Sequence, residues 1–281
     1  MKISVVIPTH DRAQLLARAL ESVRNQTFQA QEIIVVDDGS RDDTRQLLES
    51  RFPECRYFYQ DNRGVSSARN RGIEAARCDW IALLDSDDEW LAGKLAAQRA
   101  QLNSEPQTRL CHTEEIWIRN GRRVNPMKKH AKAGGWIFQN CLPLCVISPS
   151  AALIHRSLFS EVGLFDESLP ACEDYDLWLR ICARNPVALV ETPQLIKYGG
   201  HPDQLSHRHW GMDRFRLQAL EKIIRSGAIQ GKALMAAVST LIEKAEILAQ
   251  GAEKRGRHEE ALFYRDKQQS FSPLRSYTIH E

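Results

Sequence analysis

The chain has 281 residues, of which 43% are hydrophobic and 26% are charged, and this composition is ordinary for a globular protein. Its formal net charge of +2 is too small to indicate nucleic acid as the main partner. The seven cysteines include no Cys-x-x-Cys pair, which argues against a zinc knuckle or a disulfide framework and favours a reducing cytoplasm. No apolar run approaches the roughly 20 residues of a membrane span, and peripheral contact with the inner face of the membrane is left open.

The first half of the chain alternates between strand and helix patterns. The apolar N-terminal run is too short for a signal peptide and reads as a first strand. Strands are predicted at 3–7, 32–36, 56–59 and 80–84, and helices at 12–25, about 42–50 and 66–77. This alternation predicts an α/β fold with a doubly wound, mostly parallel sheet.

The second half is less regular. A strand is predicted at 146–154 and a helix at 173–183, and the pattern is helical at 211–226 and at 231–266. We place a boundary between an α/β domain at 1–208 and a C-terminal helical extension at 209–281. The extension packs on the core by default, and pairing with a second copy or docking to a membrane or a partner through these helices are the alternatives.

Residues 119–135 contain six cations and no acidic residue, which predicts a mobile surface loop that attracts anionic groups. A plain solvated connection is the alternative. The cations are Arg119, Arg122, Arg123, Lys128, Lys129 and Lys132.

Three predicted strands end in unusual polar residues, and the carboxyl ends of parallel strands bind ligands. These ends are Thr9-His10-Asp11, Asp37-Asp38 and Asp85-Ser86-Asp87-Asp88. The third gathers three carboxylates, which are costly to hold together without a cation. Hard oxygen ligands suit Mg²⁺ or Mn²⁺, which usually accompany a diphosphate. An acidic helix start is the competing interpretation.

Five segments, in this order and spacing, resemble the motifs of family 2 glycosyltransferases over roughly residues 2–208. The resemblance implies a GT-A fold, a nucleotide-diphospho-sugar donor, a divalent metal and inversion at the anomeric carbon. The segments are Ser4–Arg12, Val35–Ser40, Asn62–Asn70, Leu84–Asp88, and Gly163–Glu167 followed by Glu173–Trp178.

The resemblance also implies roles for residues on the donor side. Asp38 would accept hydrogen bonds from the base, Thr9 would line the base or ribose, and His10, at a position usually aromatic in the family, would stack. Arg69 would pair with the diphosphate, a solvated helix arginine being the alternative, and Asp85 would touch the ribose or a metal-bound water. Asp87 is implied as the direct ligand of Mg²⁺ or Mn²⁺, with Asp88 in support.

On the acceptor side, the resemblance implies that Asp174 is the general base and that Glu173 orients it or the acceptor. An inverting transfer needs such a base, because the acceptor hydroxyl loses its proton as it attacks. The alternative is a helix start that carries acidic residues for dipole reasons. His201 and His207 are further candidates near the diphosphate, although loop histidines are more often solvated.

The favoured function is therefore metal-dependent transfer from a UDP-sugar to a hydroxyl of a glycan or lipid-linked acceptor. A catalytically silent nucleotide-sugar-binding module and a sugar-phosphate nucleotidyltransferase are the alternatives. The nucleotidyltransferase is disfavoured because the first strand ends in Pro8–Arg12 with no glycine-rich phosphate loop.

Overall fold

The computed structural model describes residues 1–125, 127, 130–200 and 211–275. The described chain forms a nine-stranded sheet. Its strands are β1 (Ile3–Thr9), β2 (Glu32–Asp38), β3 (Arg56–Gln60), β4 (Trp80–Leu83), β5 (Glu89–Trp90), β6 (Leu110–Arg119), β7 (Arg122–Val124), β8 (Leu153–His155) and β9 (Ala188–Gly199). The order is β3-β2-β1-β4-β8-β6-β9-β5, with β7 paired to β6.

Helices pack on both faces of this sheet and continue beyond it. They are α1 (Ala13–Arg24), α2 (Thr44–Arg51), α3 (Val65–Ala75), α4 (Lys94–Ser104), α5 (Phe138–Cys141), α6 (Ser157–Val162), α7 (Glu173–Cys182), α8 (Asp213–Arg225), α9 (Gly231–Glu253) and α10 (His258–Phe271). Short 3₁₀ turns occupy Pro149–Ala151 and Ser272–Arg275.

The sheet is mostly parallel, as predicted. Strands β3, β2, β1 and β4 run parallel, and β6 and β9 run in the same direction beyond the antiparallel β8. In the register of β1 and β2, Thr9 lies opposite Asp37, so both strands end at the same edge. The polar ends of β1, β2 and β4 therefore meet.

The alternating side chains of β1 explain why both faces of the sheet are covered. Val5 and Ile7 belong to one apolar cluster with Leu16 and Leu20 of α1, whereas Val6 belongs to another cluster. Successive side chains of a strand point to opposite faces, so a continuous apolar run is buried on both sides.

A glycine lets α3 approach the sheet closely. A Cβ atom on Gly72 would lie 2.3 Å from Cγ1 of Val6, so a larger residue would push the helix away from β1. Helix α3 also carries Arg69, so the close packing of α3 on β1 helps to bury that side chain.

The C-terminal helices pack on the α/β part, as predicted by default. Leu220 of α8 and Leu241 of α9 share an apolar cluster with Trp178 of α7. Lys222 of α8 lies 3.0 Å from a carboxylate oxygen of Asp176, which is almost completely buried. The extension is therefore joined to α7 by apolar packing and by an ion pair.

The helical pattern predicted at 231–266 forms two helices, α9 and α10. The chain turns between α9 and α10, where Gly256 has a φ of +69°, a left-handed conformation that glycine adopts without strain. Within the described residues, no helix is long and apolar enough to cross a membrane.

Strands β6 and β9 and helix α4 were not predicted, and the strand predicted at 146–154 is mostly wrong. Its only strand residues are in β8, because Pro149–Ala151 forms a 3₁₀ turn. Pro149 has no N–H to donate to a sheet, and the hydroxyl of Ser150 hydrogen-bonds instead to the carboxylate of Asp88.

The loop predicted at 119–135 is partly a hairpin, because β7 pairs with β6. Lys132 is not one of its exposed cations: its side chain is 4% exposed, and Nζ lies 3.3 Å from a carboxylate oxygen of Glu115. Lys128 and Lys129 lie outside the described residues, so the mobility of the loop stays a prediction.

Candidate active site

A cavity of about 360 Å³ opens at the edge where β1, β2 and β4 end. All nine residues predicted for donor, metal and acceptor roles line it. They are Thr9, His10, Asp38, Arg69, Asp85, Asp87, Asp88, Glu173 and Asp174. The predicted convergence of the strand ends is therefore confirmed, although the role of each residue stays a prediction.

The end of β1 places an unpaired polar group in the cavity. The hydroxyl of Thr9 is buried and has no hydrogen-bond partner among the described residues. His10 follows it, half-buried, and its ring nitrogen Nε2 lies 3.1 Å from the side-chain amide of Asn62. A buried hydroxyl without a partner is costly, and a bound ligand would satisfy it.

Asp38 has a structural role as well as a place in the cavity. Its carboxylate accepts hydrogen bonds from the backbone N–H groups of Arg63 at 2.9 Å and Gly64 at 2.8 Å, and from the side chain of Gln60 at 2.8 Å. It therefore ties the end of β2 to the start of α3, while its neighbour Asp37 accepts from Tyr57 and supports the strand end.

Asp38→Asn is expected to lower the free energy of unfolding by about 1–3 kcal/mol. The reason is that one backbone N–H loses its carboxylate acceptor and faces an amide. Urea denaturation measures the change, with Asp43→Asn, an exposed carboxylate outside the cavity, as control. Unchanged stability would mean that these bonds are replaced by water without cost.

Arg69 bridges two carboxylates across the cavity wall. It is 3% exposed, and its guanidinium donates to Asp85 and to Glu173, each at 2.6 Å. The alternative of a solvated helix arginine is wrong. Its predicted contact with a diphosphate stays a prediction, because its observed partners are these two carboxylates and its Nε has no partner among the described residues.

The carboxylates after β4 are held in different ways. Asp87, 14% exposed at its side chain, pairs with Arg12 at 2.8 Å. Asp88 is buried and accepts from the hydroxyl of Ser150 at 2.6 Å and the backbone N–H of Tyr198 at 3.2 Å. This segment is followed by β5, not by a helix, so the acidic helix start is wrong here.

Asp88 lies in an environment that disfavours its charged form. Burial and the nearby Asp87 raise the pKa of Asp88 well above its usual range, although Lys197 opposes the shift. Within the described residues, no three His, Cys, Asp or Glu side chains form a ready-made metal site. Mg²⁺ is often held by one or two carboxylates plus substrate phosphates. Asp87, which faces the cavity, fits that mode of binding.

Asp174 lies at the start of α7 and also lines the cavity. The preceding Cys172 has a φ of +61°, a left-handed conformation that is uncommon for a residue with a Cβ and turns the chain into the helix. One carboxylate oxygen of Asp174 accepts from the backbone N–H of Tyr175 at 2.7 Å, and the other lies 3.2 Å from Sγ of Cys145. Three acidic residues lie in this first turn, so the helix-dipole interpretation remains compatible with the geometry.

The neighbouring Glu173 is buried, and its environment differs from that of Asp174. Burial and the charge of Asp174 raise the pKa of Glu173, while Arg69 opposes the shift. Because Arg69 also donates to Asp85, one guanidinium links the start of α7 to the segment that follows β4.

Sequence reasoning missed several residues that complete the site. Lys197 of β9 lines the cavity and donates to Ser148 at 3.0 Å. Its burial lowers its pKa, but the nearby carboxylates raise it further, so the net pKa is raised; these carboxylates are Glu115, Asp88, Asp85 and Asp174.

Three other missed residues contact Asp87 or Asp88 directly. They are Arg12, Ser150 and Tyr198. Arg12 lies within one of the motifs quoted above, so the sequence could have indicated it. Lys197 could not be recognised as a site residue, because its strand was not predicted. His201 and His207 lie outside the described residues.

Comparison with known proteins identifies the family. The family model described as glycosyl transferase family 2 matches residues 4–163. The chain is 33% identical over 210 residues to an uncharacterized glycosyltransferase of Rickettsia typhi, covering 73% of this chain and 66% of that protein. Over 107 residues it is 38% identical to the GalNAc(5)-diNAcBac-PP-undecaprenol beta-1,3-glucosyltransferase of Campylobacter jejuni, covering 36% and 35% of the two chains. The chain spans 27% to 66% of the length of the first curated relatives that it matches.

The fold is also similar to solved structures. The crystal structure of S. aureus TarS 1-349 in complex with UDP-GlcNAc has a TM-score of 0.68 and 16% identity, covering 99% of this chain and 93% of that one. This likeness confirms the predicted GT-A-type fold. Since the family model covers more than half of the chain, and the polar residues of its motifs meet in one cavity, the chain belongs to glycosyl transferase family 2.

Proposed function

We propose that this protein transfers a sugar from a nucleotide-diphospho-sugar to a hydroxyl of a glycan or lipid-linked acceptor, with inversion. The observation that carries the proposal is the convergence of the ends of β1, β2 and β4 and the start of α7 on one cavity. UDP-sugars are the favoured donors, and the similar fold of a TarS structure in complex with UDP-GlcNAc supports this choice. The name of the Campylobacter relative supports a lipid-linked acceptor.

The nucleotide would lie at the ends of β1 and β2. There the buried hydroxyl of Thr9 has no partner among the described residues, and His10 presents an imidazole ring at the cavity wall. Asp38 still has about one acceptor position available to a base, because a carboxylate offers about four positions and it uses three. This arrangement supports binding of a nucleoside at these strand ends.

The diphosphate would lie between Lys197 and the carboxylates after β4. Asp87 would hold Mg²⁺ or Mn²⁺, and the buried Asp88 supports the segment by binding Ser150 and Tyr198. When bound, the cation neutralises the charge that develops on the leaving diphosphate. Lys197 adds a second positive charge at the same wall of the cavity.

The reaction would be a single displacement. The acceptor oxygen forms a bond to the anomeric carbon while the bond from that carbon to the diphosphate oxygen breaks, and the bonding electrons leave with UDP. Asp174 takes the proton of the acceptor hydroxyl as it attacks. Glu173, which accepts a hydrogen bond from Arg69, would orient Asp174 or the acceptor.

Two measurements test the function. A thermal-shift screen of nucleotides and nucleotide-sugars with Mn²⁺ should show stabilisation by UDP-sugars, because a ligand that binds only the native state raises stability. A UDP-release assay should then detect turnover of the stabilising donor. Stabilisation without release would indicate the silent binding module, and the absence of both would contradict the proposal. Pyrophosphate release from UTP and a sugar phosphate would indicate a nucleotidyltransferase.

The hairpin of β6 and β7 supports an anionic acceptor. Within the sheet Trp117 lies opposite Lys197 and Arg119 lies opposite Gly199, so this hairpin extends from the wall of the cavity. The exposed Arg122 and Arg123 follow at its tip. Cations at this position would attract phosphate or uronate groups that enter the cavity.

Replacing Arg122 and Arg123 together by Gln is expected to weaken binding of an alginate oligosaccharide, a uronate probe, by about 3-fold or more at low salt. The effect should shrink at higher ionic strength, because salt screens exposed charges. Calorimetric titration at two salt concentrations measures it. A neutral dextran oligosaccharide serves as the ligand control, and Arg45→Gln with Arg225→Gln as the charge-matched control. Equal affinity in both double variants would contradict a special role for the hairpin.

A further inference from the structure

The predicted base has an unusual neighbour. Sγ of Cys145 lies 3.2 Å from one carboxylate oxygen of Asp174 and also 3.2 Å from the backbone carbonyl oxygen of Ile147. The other oxygen of Asp174 accepts from the backbone N–H of Tyr175. Each oxygen of this carboxylate therefore has one donor placed by the protein.

The thiol of Cys145 is a hydrogen-bond donor under ordinary conditions. Burial, followed by the charge of Asp174, raises the pKa of this thiol well above its usual range, so it keeps its proton. A protonated thiol beside an ionised carboxylate donates to it, although S–H is a weaker donor than O–H. The thiol can divide this donation between Asp174 and the carbonyl of Ile147.

The residues that follow Cys145 are held by one backbone contact and two side-chain contacts. Lys132 donates to the carbonyl oxygen of Val146 at 3.0 Å, Lys197 donates to Ser148, and Ser150 donates to Asp88. These contacts connect the segment to β9 and to the carboxylates after β4. A donor on an anchored segment can restrict the orientation of its partner, whereas a donor on a loose loop cannot.

We propose that Cys145 is a positioning residue for Asp174, holding the plane of its carboxylate toward the acceptor hydroxyl. The inference rests on the proposed function, because it assigns a partner to the base of that reaction. The two donors occupy one lone-pair position on each oxygen and leave the others for the acceptor. Cys145 acts through Asp174 and takes no part in bond making.

The kinetic test compares Cys145→Ala with Cys145→Ser, using release of UDP from UDP-GlcNAc with water as the acceptor. Cys145→Ala should lower kcat by about 3- to 10-fold, the range of one net hydrogen bond, and leave KM for UDP-GlcNAc unchanged. Cys145→Ser should recover most of the rate, because its hydroxyl also donates. Cys141→Ala is the matched control: its thiol is buried on the same segment and interacts with Cys182.

An infrared test reports on the hydrogen bond without requiring turnover. The S–H stretching band falls in a spectral window that amide vibrations leave clear. The S–H band of Cys145 is the one that disappears in Cys145→Ala. Its frequency should shift in Asp174→Asn, because an amide oxygen accepts more weakly than a carboxylate. The S–H band of Cys141 should keep its frequency in the same Asp174→Asn variant.

The outcomes separate this inference from the function on which it rests. A wild-type protein that releases no UDP from any UDP-sugar contradicts the proposed function, while the infrared shift still tests the contact itself. Where UDP is released, a Cys145→Ala variant with wild-type kcat overturns the positioning role. An S–H band that is insensitive to Asp174→Asn overturns it as well, and so does an equal loss of rate in the Ala and Ser variants.

Discussion

Asp174→Asn is expected to lower kcat by about 10²–10⁴-fold, the usual contribution of a general base. The substitution keeps the shape of the side chain and removes its ability to take a proton from the acceptor. Affinity for the UDP-sugar should barely change, because the proposed role of Asp174 is to act on the acceptor hydroxyl and not to bind the donor. UDP release gives kcat, and calorimetry gives the donor affinity.

If Asp174 is only a helix-start carboxylate, a different result is expected for the same variant. If Asp174 serves only to interact with the dipole of α7, its replacement by Asn should cost roughly 0.3–1 kcal/mol of stability and leave kcat almost unchanged. Glu259→Gln, an exposed acidic residue in the first turn of α10, is the control for such a dipole effect. Urea denaturation of both variants distinguishes stability from chemistry.

Asp87→Asn is expected to remove the dependence of donor binding on Mg²⁺ or Mn²⁺. Loss of a metal-binding carboxylate should weaken metal affinity by about 10²-fold or more, since even outer residues of metal sites contribute 10–100-fold. Thermal shift with UDP should then give the same midpoint with Mn²⁺ as with EDTA. The wild-type protein should lose stabilisation when EDTA is added.

The control for this variant is Asp43→Asn, which removes an exposed carboxylate outside the cavity. It should respond to Mn²⁺ as the wild-type protein does. The metal assignment is wrong if Asp87→Asn keeps full Mn²⁺ stimulation of UDP binding. Full activity of the wild-type protein in EDTA would contradict metal dependence itself.

Buried charges link the start of α7 to the segment that follows β4. Arg69 holds Asp85 with one nitrogen and Glu173 with another, and all three groups line the cavity. Removing one partner of such a buried ion pair leaves an uncompensated charge and usually costs several kcal/mol. Glu173→Gln should therefore lower stability as well as activity, and it is a poorer test of catalysis than Asp174→Asn.

The sequence by itself determined the parallel half of the sheet and the position of the site. Runs such as Ile3–Thr9 are buried on both faces, and this pattern depends only on local hydrophobicity. The polar residues at their ends had to meet, because parallel neighbouring strands share an edge. The polar residues up to Asp88 can therefore be identified as candidates from local residue order, whereas Glu173 and Asp174 were identified through the resemblance to family 2 glycosyltransferases.

Only the tertiary structure revealed the other half of the sheet. Strand β9 has a mixed burial pattern, and its register with β6 shifts at two places around Glu114, so neither strand shows a clean period of two. Lys197 was missed for this reason. Its importance comes from Ser148 and Asp88, which are distant in sequence and adjacent only in the fold.

The partners of the candidate site residues were also decided by tertiary structure. Local sequence patterns carry no information on which charged groups meet over long separations. Arg69 binds Glu173, 104 residues away, and Lys132 lies against Glu115 instead of in solvent. Asp174 likewise meets Cys145 through the packing of two separate segments. Residue types and strand ends can be read from local order, whereas the pairing of buried polar groups depends on the register and packing of the whole chain.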